Sequence, residues 1–139
     1  MAAGQRDKVV HYLNRARGFR DGMFLLADDY GNAAALLAVH SAISLTDAVR
    51  MHFTGERGRG EDHSEAGISL RGLCRARSLD VSGLKHLEFL LSKKTLIAYG
   101  DERLEESKHL RAAIDAAERF AAWVRRTFPE VAREDRSHD

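Results

Sequence analysis

The stretch Ala33–Ala66, AAALLAVHSAISLTDAVRMHFTGERGRGEDHSEA, decides the fold that we predict for this chain. Its first two-thirds carries small and apolar residues at steps of three and four, which is the spacing of one buried face on an α-helix. Ala and Ser are frequent on that face, so a neighbouring backbone can approach it closely. The residues on this face are Ala35, Ala38, Val39, Ala42, Ile43, Leu45, Thr46, Val49 and Phe53.

Local signals mark both ends of this central helix. Asn32 belongs to a residue type that caps helix starts. Thr54-Gly55 predicts the end of the helix, because Gly tolerates the left-handed conformation of a C-terminal turn. A loop rich in Gly and Arg follows. Asp62 with Glu65 three residues later matches a capping box, which predicts the start of the next helix.

The composition indicates one folded domain of ordinary size. The chain has 139 residues, of which 44% are hydrophobic and 31% are charged, with a net charge near +1. This balance does not predict a protein coated with bulk nucleic acid. A single cysteine, Cys74, excludes an internal disulfide framework and a Cys-rich zinc site. We expect no membrane span and no signal peptide, and therefore a cytoplasmic protein.

Helical periodicity extends along nearly the whole chain. Proline is almost absent and alternating β-branched runs are few, so we predict no sheet. Pro129 is expected to stop the last helix, since proline cannot continue the hydrogen-bond ladder. The predicted organisation is a disordered N-terminus at 1–5, a bundle domain at 6–128 and a mobile charged tail at 129–139. Besides the central helix, we predict helices over about 6–30, 63–77, 83–98 and 102–128.

These helices predict an all-α fold, an antiparallel four-helix bundle with one additional short helix. Gly18 and Gly22 lie inside the first helix and indicate a bend or a close helix crossing. Several of the inward faces are rich in alanine, and the bundle is small. A second copy often completes such a core, so we expect a homodimer.

With the helices in this order, the chain resembles the HEPN family of small helical domains, found in prokaryotic toxin pairs and as nucleotidyltransferase partners. The segment at 38–55, AVHSAISLTDAVRMHFTG, is similar to the family's small-residue helix. The segment at 55–70, GERGRGEDHSEAGISL, resembles its loop and the His that opens the next helix, here His63. The segment at 87–100, LEFLLSKKTLIAYG, resembles the end of the family's fourth helix through Leu90, Leu91, Lys94, Ala98 and Tyr99.

The resemblance implies a bundle that is commonly dimeric and is linked to RNA cleavage or nucleotide binding. Catalytic members carry an Arg followed four to six residues later by a His, for proton transfer and phosphate stabilisation without a metal. Where active members hold this motif, the present chain has the run 93–99, KKTLIAY, with no His. We therefore predict a protein that is not catalytic. The Arg-to-His spacing occurs elsewhere at Arg6/His11, Arg57/His63, Arg103/His109 and Arg133/His138.

Candidate site residues follow from the loop after the central helix. A loop at a helix start can bind phosphate through free N–H groups and arginine forks, and cations near the end of the fourth helix can assist. We predict a phosphate site formed by Arg57, Arg59, His63, Lys94 and Tyr99. Docking of the loop onto the bundle is the alternative role for His63. If the protein is an enzyme, the candidate catalytic residues are Arg57, His63, Arg103 and His109.

Other titratable residues are interpreted as structural. His40 and His52 are too far apart on the central helix for a metal site, so we predict no metal and no cofactor. Cys74 lies on an apolar stripe and is interpreted as a small core residue. Two basic clusters would suggest RNA binding if they faced one groove. They are Arg15, Arg17 and Arg20 on the first helix, and Arg71, Arg75 and Arg77 on the third.

Three functional hypotheses remain open from the sequence. The first is a HEPN-like bundle without catalysis that binds nucleotide or RNA phosphate, or acts as a partner of a nucleotidyltransferase or an antitoxin. The second is a metal-independent RNase of the toxin type. The third is an interaction module with no nucleic-acid role.

Overall fold

The computed structural model describes residues 2–56, 64–100 and 108–135, and every regular element in these ranges is an α-helix. The predicted all-α antiparallel bundle is confirmed, with four long helices and the shorter α3. A sixth helix of a single turn was not predicted. The helices are α1 (Ala3–Leu26), α2 (Gly31–Thr54), α3 (Ser64–Ala76), α4 (Leu84–Tyr99), α5 (Lys108–Thr127) and α6 (Pro129–Ala132).

Helix α2 is the centre of the molecule, because it contacts each of the other five helices. The face predicted from its periodicity is the face that is buried, and only Leu45 and Phe53 on it are partly exposed. Its small residues allow several helices to approach one rod at the same time. The core of this helix consists of Ala34, Ala35, Ala38, Val39, Ala42, Ile43, Ala48, Val49 and Met51.

The expectation that no segment is long and apolar enough to span a membrane is wrong for α2. Among the described helices, Gly31–Thr54 has the required length and composition, with a mean hydropathy of 1.3 over its most apolar stretch. In the fold, however, 61% of that stretch is buried by the other helices. A helix that is apolar on most sides is expected at the centre of a bundle, which is where α2 lies.

Helix α1 packs along α2 in the most extensive helix contact of the fold. It begins at Ala3, where a disordered N-terminus had been predicted. Gln5 accounts for the difference, since its side-chain amide donates to the backbone oxygens of Met51 at 2.7 Å and His52 at 3.2 Å. Gly22 marks a close crossing, because a Cβ there would lie 3.0 Å from Leu37 Cδ1.

The two predicted caps of α2 have different outcomes. The N-cap is Tyr30, which makes no side-chain capping hydrogen bond, and Asn32 lies inside the first turn. The prediction of Asn32 as the cap is therefore wrong. At the other end, Gly55 has a φ of 73° and donates its backbone N–H to Met51 O. The predicted glycine cap is confirmed, since this left-handed conformation costs Gly little.

The chain after α5 also departs from the prediction. Pro129 follows the end of α5 as expected, but it opens α6 instead of a mobile tail. Phe128 and Val131 are fully buried in the core beside α5. These two side chains anchor the described residues 129–135 to the bundle, whereas 136–139 lie outside the described residues.

Candidate functional site

The turn between α3 and α4 is held against α5 by one tryptophan. Trp123 is 1% exposed, and its indole Nε1 donates a hydrogen bond to the backbone oxygen of Asp80 at 3.2 Å. The Asp80 carboxylate accepts from the Ser82 backbone N–H at 3.0 Å and from the Ser82 hydroxyl at 2.6 Å. These bonds fix the backbone that leads into α4.

Gly83 sits at the point of closest approach between this turn and α5. It is buried, and a Cβ on it would overlap the indole ring of Trp123. The lack of a side chain therefore allows the start of α4 to lie directly on the tryptophan. As a result, the residues that open α4 face the residues one turn either side of Trp123 on α5.

A pocket of about 210 Å³ lies where the start of α4 meets α5. Its cations come from both helices, with Lys85 and His86 on α4 and Arg119 and Arg126 on α5. Within the part of the chain that the structure describes, its lining includes no carboxylate. The lining residues are Ser82, Gly83, Lys85, His86, Arg119, Ala122, Trp123 and Arg126.

The electrostatics of the pocket are set mainly by the cations that line it. Partial burial lowers the pKa of His86 below its ordinary value of 6.5, and the charges of Lys85 and Arg119 lower it further. The imidazole is therefore neutral near pH 7, whereas Lys85, Arg119 and Arg126, which line the same pocket, are cations. An anion bound in the pocket would offset the repulsion between these cations and raise the pKa of His86.

The Asp80 carboxylate lies close enough to this cluster to interact with Arg126, and it is already hydrogen-bonded to Ser82. Hydrogen bonds from Ser82 lower the pKa of the Asp80 carboxyl, and the charge of Arg126 lowers it further. This carboxylate is fully ionised near neutral pH, and its two oxygens accept hydrogen bonds from Ser82. It compensates the charge of Arg126 in part.

The backbone adds to the positive character of the pocket. Gly83 is the N-cap of α4 and supplies no side-chain hydrogen bond to the first turn. The N-terminus of a helix carries partial positive charge, which favours an anion nearby. The pocket thus combines a helix start with guanidinium, ammonium and imidazole groups, and this arrangement suits a small oxyanion such as phosphate.

The phosphate site predicted from the sequence lies largely elsewhere. Arg57, Arg59, His63 and Arg103 are outside the described residues, so their predicted roles stay predictions. Lys94 is partly buried in the second half of α4, and Tyr99 is the last residue of that helix. Lys94 does not line the pocket, and the backbone positions of both residues are at the opposite end of α4 from it.

His109, a predicted catalytic candidate, lies in the first turn of the described part of α5 and is partly buried. Arg119 and Arg126, by contrast, lie in the second half of α5. His109 therefore lies several turns of helix from the pocket. It stays a prediction as a catalytic residue, since its proposed partner Arg103 is outside the described residues.

The two basic clusters do not share one groove. Arg17 and Arg20 of α1 line a groove that is closed on its other side by α5, and no α3 residue is in the described lining. On α3, Arg71 pairs with Glu88 of α4 at 3.0 Å. Just after α3, the guanidinium of Arg77 lies 4.2 Å from the centre of the Phe53 ring. Two of the three arginines of the second cluster, Arg71 and Arg77, are thus used in contacts with α4 and α2.

Metal chemistry finds no support in the described part of the chain, where no group of three or more His, Cys, Asp or Glu side chains is placed to hold an ion. His40 instead lies with its ring 5.5 Å from that of Phe19. Cys74 is fully buried, and burial raises the pKa of its thiol. The interpretation of Cys74 as a small core residue is confirmed.

The residues of the pocket were missed in the sequence analysis, although one signal was present. Arg119 and Arg126 are seven residues apart on α5, which places them two turns apart on one face. Lys85 and His86 lie two and three residues after Gly83, in the first turn of a predicted helix, where cations are unusual because they oppose the helix dipole. Nothing in the sequence indicates that these two pairs meet.

Comparison with known proteins does not assign the chain to a family. No family model matches the sequence, no curated protein matches it, and no solved structure matches it. The geometry of the pocket is therefore the basis on which a function can be proposed.

Proposed function

We propose that this protein binds the phosphate groups of RNA or of a nucleotide in the pocket between the start of α4 and α5. The single observation that carries the proposal is the convergence of Lys85, His86, Arg119 and Arg126 around one pocket, with no carboxylate among the described lining residues. Like charges are brought together at a cost in free energy, which a bound anion would offset. The same expectation follows from the resemblance of the chain to the HEPN family.

The pocket favours recognition of phosphate over recognition of a base. Its indole side chain, Trp123, is 1% exposed and forms the floor beneath Gly83, and the other ring in the described lining is the imidazole of His86, which lies among the cations. A base needs an exposed ring face on which to stack, and Trp123 does not offer one. Binding is therefore expected to depend on phosphate charge and to vary little with base identity.

The test is the binding of a labelled single-stranded RNA, measured by fluorescence anisotropy over a range of salt concentrations. Three permanent cations predict that log K falls with log salt with a slope of about −2, at roughly 0.7 per phosphate contact. Arg119→Ala and Arg126→Ala should each weaken binding and reduce the magnitude of the slope by about 0.7.

Arg75→Ala is the matched control, because it removes an exposed arginine on α3 that is outside the pocket lining. It should leave the slope unchanged. Inorganic phosphate and an adenine nucleotide serve as competitors. If the nucleotide competes as strongly as unlabelled RNA at equal phosphate concentration, the pocket is a nucleotide site. If the nucleotide competes only weakly, the pocket is an RNA site. Equal losses in all three arginine variants would contradict the proposal.

A second arm uses the titration of His86. The anion favours the imidazolium, so phosphate binding should take up a proton and tighten as the pH falls from about 7.5 to about 5.5. The groups facing His86 are the cations Lys85 and Arg119, with Arg126 across the pocket. His86→Gln should remove the pH dependence, and an unchanged profile in this variant would show that His86 takes no part.

A further inference from the structure

A second cavity lies on the other side of α5, and it differs in character from the basic pocket. It has a volume of about 330 Å³ and lies between α1 and α5, with α2 as its floor. Arg125 lines it, whereas the next residue, Arg126, lines the basic pocket. Successive helix positions are about 100° apart, so neighbouring arginines on α5 serve two separate cavities.

Small side chains create this cavity. Both α1 and α5 pack against α2, but the residues that face each other across the gap are too short to fill it. The floor and lower walls are apolar, and the hydroxyl of Ser41 is turned back to donate to the backbone oxygen of Ala38 at 2.8 Å. The apolar and small residues of the lining are Leu13, Ala16, Ser41, Leu45, Ala117 and Ala121.

The rim of the cavity is charged, with three arginines and two carboxylates. Arg20 pairs with Glu118. The Nε and Nη2 atoms of Arg20 donate hydrogen bonds to the Glu118 carboxylate at 2.7 and 3.1 Å. This contact raises the pKa of Arg20, and the guanidinium also lies 5.0 Å from the centre of the Phe24 ring. Arg20 and Glu118 therefore neutralise each other and join α1 to α5 across the cavity.

The remaining rim charges are Arg17, Arg125 and Asp135. Two guanidinium groups against one carboxylate leave an excess of one positive charge above an apolar floor. The volume of the cavity is at the small end of the range of about 300–1,000 Å³ that is usual for ligand sites. Its occupant should thus be small, with an apolar body and a single anionic group.

We infer that this groove binds a small amphiphilic carboxylate, with its aliphatic chain on Leu13, Leu45 and the alanines and its carboxylate between Arg17 and Arg125. A guanidinium fork matches a carboxylate in shape and charge, and the chain removes apolar floor from water. This site shares no lining residue with the phosphate pocket. It therefore stands or fails independently of the proposed function.

The experiment is isothermal titration calorimetry of the full chain with octanoate as the probe. Saturable binding at one site per chain is expected. Octanol, which lacks the charge, and acetate, which lacks the chain, should each bind at least about tenfold more weakly, since each loses one of the two recognised features. Octanol that binds as tightly as octanoate would overturn the proposal.

Variants locate the site. Arg125→Ala and Arg17→Ala should each weaken octanoate binding by about tenfold or more, the loss expected for a hydrogen bond to a charged group. Arg75→Ala on α3 is the charge-matched control and should leave the affinity unchanged. Absence of saturable octanoate binding at millimolar concentration, or equal affinity in all three variants, would contradict the assignment.

Discussion

Gly83 shows how one residue positions a whole site. The absence of its side chain lets the start of α4 rest on Trp123, and this contact brings Lys85 and His86 opposite Arg119 on α5. The residue is not in a left-handed conformation, so its backbone geometry does not demand glycine. The demand comes from the close approach of the indole instead.

Gly83→Ala is predicted to destabilise the fold by about 1–3 kcal/mol, because the new methyl group overlaps a fully buried ring. The free energy of unfolding in urea measures this change. Gly18→Ala is the matched control, since a Cβ at Gly18 meets nothing within 4 Å. That variant should be more stable by about 0.5–1 kcal/mol, the usual gain for Ala over Gly inside a helix. Equal effects of the two substitutions would contradict the role of Trp123.

At the scale of elements, α1 is attached to the bundle mainly through α2. Its first turn is fixed to the last turn of α2 by Gln5, which donates to the carbonyl of His52 and to that of Met51, which also accepts from the Gly55 N–H. Arg6 lies 3.6 Å from Glu134 and links the same turn to the segment after α6. The N-terminal turn of the chain thus takes part in capping the central helix.

Gln5→Ala is predicted to lower the free energy of unfolding by about 1 kcal/mol, the usual value of one hydrogen bond. Gln5→Glu should cost more, because an ionised carboxylate cannot donate and its charge is unfavourable near a helix C-terminus. Urea denaturation measures both. Asn14→Ala, at an exposed position on α1, is the control and should change stability by less than about 0.5 kcal/mol. A neutral Gln5→Glu variant would contradict this capping role.

At the scale of the whole molecule, several large apolar side chains stay exposed in the single chain. Phe24, Leu25 and Tyr30 lie around the connection between α1 and α2, and Leu25 is 82% exposed. Ile68 on α3 and Leu96 on α4 are also exposed. A small bundle that leaves this much apolar surface in water gains stability by covering it with a second copy.

A homodimer therefore stays the prediction for this chain in solution. Sedimentation equilibrium should give a mass of about twice the 15.5 kDa of one chain. Leu25→Lys should shift the equilibrium toward the monomer if the α1–α2 connection holds the interface, and Lys8→Ala, on the exposed face of α1, should not. A monomer at every concentration tested would contradict the prediction.

Hydrophobic periodicity was enough to locate the helices and to place α2 at the centre of the bundle. The three- and four-residue periodicity of the stretch 33–54 identifies its buried face, because a side chain's position around a helix depends only on its number along the chain. Gly55 and Pro129 were sufficient to predict where α2 and α5 end. Each acts directly on the backbone, since Gly tolerates a left-handed turn and Pro cannot donate the next helical hydrogen bond. Asn32 was insufficient, because its capping tendency is weaker than the packing that sets where α2 begins.

Tertiary structure alone decided which exposed charges share a cavity. Lys85 and His86 meet Arg119 and Arg126 because α4 crosses α5 at the contact between Gly83 and Trp123. Periodicity shows which face of a helix is turned to the core, but the crossing point and rotation of two helices depend on how particular side chains fit together. For the same reason the sequence could not show that Arg17 of α1 and Arg125 of α5 stand on opposite sides of one groove.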